Sequence, residues 1–356
     1  MRGVMRIRRT TAAVLAVCAL AACGAADARP SRERAPVAGV AAALVASGAG
    51  DAGGAGDAPG VAAPPGPFAP NRMGYIPVFE YHVIAAGPTE FHRPPQLLRA
   101  DLEMLYRRGY RPVTVAEMNE RRIDQVVPAG YKAFVAVFDD ATPTQFRYIE
   151  RPGGRLEIDP NSAVGIWTGF AASHPGWRNA ATFCVLSAAD GGAAFFGNGN
   201  IHGQKTAWRF PKIQFLVRQG FEICNHTQWH ARMDRYSDAF VMEQVAKLAL
   251  AVDSAVPGYR IRTLALPLGV WPRNRSVAWR GSWRDPKSGR TIRYDYPAVL
   301  EVAGGPNVSP YDPKYDGHSI DRVIAYRNAV RATVDRLDAH KTAYVSSGAP
   351  PARRGR

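Results

Sequence analysis

A parallel α/β sheet or barrel is the architecture predicted by this 356-residue sequence, on three observations. From Tyr75 onward, short apolar runs alternate with amphipathic segments. The runs are nearly continuous in apolar residues, as strands covered on both faces must be. Polar residues able to do chemistry follow directly on several of these runs, and parallel folds gather their chemistry at the C-terminal ends of their strands. Apolar residues make up 46% of the chain and charged residues 21%, so a sizeable core is affordable in one large domain or two small ones.

The strand candidates, in order, are 75–84, 133–139, 181–187, 221–226, 263–268 and 297–303. Between them, Leu98, Leu102 and Leu105 recur at helical spacing and Gly109 is placed to end that helix. Val241, Val245, Leu248 and Val252 repeat the pattern behind Ser237, a good N-cap. Val323, Tyr326, Val330, Val334 and Leu337 mark a C-terminal helix. Residues 143–180 read as an insertion ordered mainly around Asp159–Gly165, where it would overhang a strand end and shape substrate choice. No internal repeat is visible.

The first segment reads as an export signal. Arg2, Arg6, Arg8 and Arg9 precede an uncharged stretch from Thr11 to Ala22, too short for a permanent membrane span. It ends in Leu20-Ala21-Ala22-Cys23, which resembles a lipobox and predicts acylation of Cys23. Ordinary secretion, with cleavage after Ala26-Asp27-Ala28, is the alternative. Both place the mature protein outside the cytoplasm, as a membrane-anchored lipoprotein of the cell envelope in the first case. The expected organisation is a signal over 1–22, an Ala/Gly/Pro-rich disordered tether over 23–70, a catalytic-type domain over 71–345 and a basic tail over 346–356.

The formal charge of +15 falls to +11 once residues 1–22, with four arginines and no acid, are removed. Such a protein is drawn to anionic lipids or acidic polymers. The basic residues are scattered and no basic-aromatic motif appears, which argues against nucleic acid. Oligomeric state is not legible. Cys184 and Cys224 are the cysteines left in the domain. One disulfide and two buried free thiols are both compatible with their apolar settings.

Two strand ends carry the chemistry. Val137-Phe138-Asp139-Asp140 closes an apolar run with adjacent carboxylates, which are costly unless a cation or hydrogen bonds receive them. Asn225-His226-Thr227-Gln228-Trp229-His230 follows another, and two histidines four apart on one face of a helical turn can reach one metal. Together these form a candidate His-His-Asp site with open coordination positions.

These motifs resemble those of the polysaccharide deacetylases (the NodB-homology, carbohydrate esterase family four proteins). The family's T-F-D-D is matched by Val137-Phe138-Asp139-Asp140, and its G-H-E-I-G-N-H-T and H-[ST]-x-x-H runs by Gly220 to His230. Ala181–Leu186, Tyr81-His82 and Gly109–Thr114 also resemble family segments, so the likeness spans roughly 75–305. The resemblance implies an irregular (β/α) barrel of about seven strands and removal of acetyl groups, N-acetyl foremost, from a cell-envelope or extracellular glycan. It implies Asp139 as the general base acting on a metal-bound water, and Asp140, His226 and His230 as metal ligands. One divalent ion is implied, zinc first, with cobalt, manganese or nickel as alternatives. Thr227 would orient the site, and Trp229 would either line an acetyl pocket or simply pack.

Two departures matter. The family's third motif has an arginine where this chain has Ala265, within Leu264–Gly269, leaving Arg262, Arg273 or Arg275 as substitutes. The family's late-strand histidine, a general acid, is absent from Val299–Ala303, leaving His318 or Glu301. His82, with Glu80 on the first strand, is either a core histidine or a site residue. Trp271, Trp279 and Trp283 are structural or stack on sugars. The Gly191-Gly192 loop lacks the G-K-[ST] of a phosphate cradle, and no G-x-S-x-G elbow supports a serine hydrolase. The alternative to the enzyme is a non-catalytic glycan-binding relative with the same fold and an incomplete site.

Overall fold

The computed structural model describes residues 66–189 and 193–348. The signal segment, Cys23 and the tether up to residue 65 lie outside the described residues, as do Gly191-Gly192 and tail residues 349–356. The first half contains β1 (Val78–Tyr81), α1 (Pro95–Arg107), β2 (Tyr110–Val113), α2 (Val115–Asn119), α3 (Ile123–Val126), β3 (Lys132–Asp139), β4 (Tyr148–Glu150), β5 (Leu156–Ile158), α4 (Ala163–Ser173) and β6 (Thr182–Val185). The second half contains α5 (Arg209–Gln219), β7 (Glu222–Asn225), α6 (Asp238–Ala255), β8 (Thr263–Ala265), β9 (Arg280–Arg284), β10 (Thr291–Asp295), β11 (Ala298–Leu300), β12 (Val323–Ile324) and α7 (Ala329–Ala339).

One parallel sheet organises the domain, in the order β11-β8-β7-β6-β3-β1-β12, with β2 added beside β3. Its far edges are drawn together where Ile320, just before β12, donates to Val299 O and accepts from Glu301 N. The sheet therefore curls into an irregular (β/α) barrel. β4–β5 and β9–β10 are separate antiparallel hairpins.

The strands of the sheet are mostly apolar because each faces two cores. In β3, Phe134, Ala136 and Phe138 pack against the helices, while Ala133, Val135 and Val137 fill the barrel interior. Cys184, Cys224, Ala265 and Leu300 share that interior. The two-residue alternation then points the next inward positions, Asp139 on β3 and His226 after β7, into the mouth of the barrel. Helices follow the expected chemistry. In α1, Leu98, Leu102 and Leu105 are buried, and Gly109 beyond its end adopts φ 78°. In α6, Ser237 accepts from Phe240 N at 3.3 Å and Val241, Val245, Leu248 and Val252 are buried.

Three expectations change, and one alternative left open by the sequence closes. The C-terminal helix begins at Ala329, because Val323 and Ile324 form β12 beside Phe79 and Glu80 of β1. Two adjacent β-branched residues satisfy a strand as readily as a helical stripe. Residues 143–180 are not an insertion as a whole, since α4 is a crossover helix whose Trp167 is fully buried and only the β4–β5 hairpin projects. The ordered body already includes Gly66 and Phe68, whose N–H groups donate to Ala129 O and Gly130 O. Cys184 and Cys224, in register on β6 and β7, form a disulfide.

Candidate functional site: a metal-ligand cluster beside a buried arginine

Four strands of the barrel deliver the site. Asp139 ends β3, and Asp140 follows in the left-handed region at φ 76°. His226 follows β7. The His226–His230 segment is not the helical turn expected from its spacing. It is a tight turn with Thr227 at φ 68° and His230 at φ 66°, conformations that non-glycine residues adopt at a cost of roughly 1–3 kcal/mol each. Thr227 holds that turn: its Oγ1 accepts from His230 N and Ala231 N at 3.1 and 3.2 Å, and its N–H donates to Asn225 Oδ1 at 2.8 Å.

The result brings Asp140 Oδ1 to 3.4 Å from His226 Nε2 and 3.6 Å from His230 Nε2. One donor atom from each of the three lies within 4.8 Å of the others. Ala265 O accepts from His226 Nδ1 at 2.9 Å, which fixes Nδ1 as the donor and turns Nε2 toward the cluster. That buried Nε2 has no hydrogen-bond partner. Two imidazole nitrogens and one carboxylate oxygen, one of them orphaned, fit a zinc-type ion with open positions.

Arg322 lies behind the cluster and is fully buried, with Nη1 2.8 Å from Asp139 Oδ2 and Nε 2.8 Å from Glu80 Oε2. Burial alone would raise the Asp139 carboxyl, but Arg322, His226 and His82 override it and hold it below the ordinary aspartate value. Asp139 Oδ1 has no partner and is free to accept a proton. Burial pushes Glu80 up to about 8 against the pull of Arg322, lowers His82, and with the neighbouring His226 lowers His230 to about 4. His82 Nε2 lies 3.3 Å from Glu80 Oε1. Gln145 was not singled out in the sequence, yet its amide donates to His82 O at 2.7 Å and to Asp139 O, tying both strand ends together.

Residues 176–279 match the family described as Polysaccharide deacetylase, a span that contains His226 and His230 and starts after Asp139-Asp140. The deacetylase PplD of Streptococcus pyogenes, solved with acetate, aligns with 74% of this chain and 98% of its own, at TM-score 0.51 and 15% identity. A polysaccharide deacetylase of Bacillus cereus aligns with 74% of this chain and 69% of its own, at TM-score 0.50 and 16% identity. The fold is that of the polysaccharide deacetylases. The family match over β6–β8 supports the same family for the chain. No curated protein sequence matches it.

Against the deacetylase pattern, the missing third-motif arginine has a spatial counterpart, and it is none of the expected three. Arg262 pairs with Glu120 at 2.6 Å and Arg275 covers the Trp271 ring at 3.8 Å. Arg322, arriving just before β12, meets Asp139 instead. The sequence offered no signal for it, because its partners lie on β1 and β3. The two candidates for the late general acid are elsewhere. Glu301 Oε1 accepts from Trp271 Nε1 and Ser319 Oγ, both at 2.9 Å, and only its main-chain carbonyl serves the site, by accepting from Arg322. His318 stacks on Trp279 at 4.5 Å.

His82 does line the pocket at the donor cluster, a cavity of about 420 Å³ walled by Phe91, Leu266, Leu268 and Val302. Its ring meets Phe91 edge-on at 4.7 Å. Trp229 lies outside that pocket; half-exposed, it packs its ring against Phe240 at 6.1 Å, the second of its two expected uses. Trp271, Trp279 and Trp283 pack against the core.

Proposed function

We propose that this protein is a metal-dependent deacetylase of an acetylated glycan, most simply an N-deacetylase. The observation that carries the reading is Asp139. It is ionised, anchored through one oxygen by Arg322, and leaves the other oxygen free beside a three-residue donor set. Asp140, His226 and His230 would hold the ion, which when bound supplies Lewis-acid polarisation of the acetyl carbonyl and a water of lowered pKa.

The chain's own groups account for the remaining work. Asp139 Oδ1 takes a proton from the attacking water. Leu266, Leu268, Val302 and Phe91 form an apolar wall suited to an acetyl methyl. His82 lines the pocket 3.3 Å from Glu80, whose carboxyl, pushed up to about 8, keeps a proton that His82 can relay to the leaving nitrogen. Arg322 and His82 thus answer the two departures that favoured a non-catalytic glycan binder. The relative from Streptococcus pyogenes was solved with acetate, the product such a reaction releases.

On sequence grounds alone, we further read the protein as exported and lipid-anchored through Cys23. The deciding assay is acetate release from acetylated chito-oligosaccharides and peptidoglycan fragments, with and without zinc or cobalt, beside Asp139→Asn. Metal-dependent release lost in that variant supports the enzyme. Stoichiometric metal binding with no release from any glycan returns the reading to a binding protein.

A further inference from the structure

The positive charge is not spread evenly. Residues 260–296 contain nine lysines and arginines and two acids, Asp285 and Asp295. Seven of the nine lie on the β9–β10 hairpin or in the turn before β8, beside α6, and of these Arg262 turns away to Glu120. The hairpin has two unlike faces because its side chains alternate. Trp283, Ile292 and Tyr294 point inward and join the core. Arg280, Ser282 and Arg284 on β9, and Thr291, Arg293 and Asp295 on β10, point outward and are exposed.

Between the hairpin and α6 lies a cleft of about 790 Å³, large enough for a saccharide unit. Its floor includes the rings of Tyr259 and Tyr294, whose hydroxyls are already engaged with Ile223 N and Val277 O. Its rim carries Arg260, Arg280, Arg290 and Arg293. Arg280 faces Asp295 at 3.4 Å and Arg290 faces Asp253 at 3.0 Å. Among the described residues Arg260 and Arg293 have no carboxylate partner. None of the residues lining this cleft lines the metal-cluster pocket.

An array of like charges on one face is self-repelling in the free protein and is relieved by a polyanion. Planar guanidinium groups give directed hydrogen bonds to carboxylate, phosphate or sulfate oxygens, and tyrosine rings offer flat apolar surface to a sugar. We propose that the α6–hairpin cleft is an ancillary binding site for an anionic polysaccharide, separate from the metal pocket. It would hold a charged stretch of polymer whether or not the pocket turns over.

The test is binding of the purified full chain to dextran sulfate against uncharged dextran, which differ only in their anionic groups. Selective, salt-sensitive binding to dextran sulfate is expected. Arg260→Ser/Arg293→Ser should weaken it at least about 10-fold, with Arg260→Lys/Arg293→Lys retaining most of it. Both positions are exposed and unpaired, so thermal unfolding of the double variant should match that of the parent. Equal binding of the two polymers, or no loss in the serine variant, overturns the proposal. So does binding to anionic phospholipid vesicles with none to dextran sulfate, which would make the surface a membrane contact. If the variant does not fold, hydrogen exchange on the unaltered chain decides. Protection by dextran sulfate over residues 280–295 supports the site, and protection confined elsewhere removes it.

Discussion

Arg322 Nη1 and Asp139 Oδ2 lie 2.8 Å apart, although 183 positions separate them in the chain. The guanidinium also meets Glu80, so one buried cation is shared by two buried carboxylates from neighbouring strands. Its burial makes sense only as a set: removing Arg322 leaves the Asp139 carboxylate charged and unpaired beside a Glu80 carboxyl already pushed up by burial.

Arg322→Ala should therefore do two things. Turnover should fall roughly 10²-fold with KM little changed, since Asp139 loses its orientation. Stability should drop by roughly 3–5 kcal/mol from the uncompensated Asp139 carboxylate. Steady-state kinetics and denaturant unfolding separate the two, and Arg322→Lys should recover part of the turnover. A variant with full turnover would show that the pair is structural only.

The donor cluster predicts graded metal binding. His226→Ala should abolish stoichiometric zinc, measured by elemental analysis after dialysis. Thr227→Val should keep all three donors but slacken the turn presenting His230, weakening affinity by roughly 10–100-fold in a chelator competition.

The position of His82 predicts a dependence on the leaving group. His82→Asn should cut release from an N-acetyl sugar by roughly 10²–10⁴-fold. The same variant should lose much less on an activated aryl acetate, whose leaving group needs no proton. An equal loss on both substrates would remove His82 from the role of acid.

The buried Lys212 predicts a rise of stability with pH. Its ammonium donates to Phe196 O at 2.6 Å and Gln204 Oε1 at 2.8 Å, and burial lowers it to about 7 from 10.5. Between those values the unfolded chain binds more protons than the folded one, so the lysine's contribution to stability increases as pH rises through that window. Below about 7 the cost of burying the charge is fully present. Thermal unfolding across this range should show the rise in the parent and a flatter profile in Lys212→Met.

The Cys184–Cys224 disulfide closes a loop with a sequence separation of 40. Cys184→Ala/Cys224→Ala should lose about 2–4 kcal/mol. Reductant should lower the unfolding temperature of the parent but leave that of the double variant unchanged.

Sequence alone determined the periodic part of this protein. The six apolar runs became strands of the parallel sheet, and α1 and α6 formed where leucine and valine spacing met Gly109 and Ser237. Asp139, Asp140, His226 and His230 were legible because strand alternation sends successive residues to opposite faces, and the run-ending position is the one at the barrel mouth. The tertiary structure decided what no local pattern carries. Val323 and Ile324 became a strand because β1 offered an open edge to pair with. Thr227 and His230 left the helical region because Asn225, whose amide donates to Val245 O and Tyr296 Oη, holds the Thr227 N–H from across the fold. The guanidinium beside Asp139 came from residue 322 rather than from position 265 or its neighbours. A charge needs only to reach its partner in space, and barrel closure brings β12 beside β1, within reach of β3.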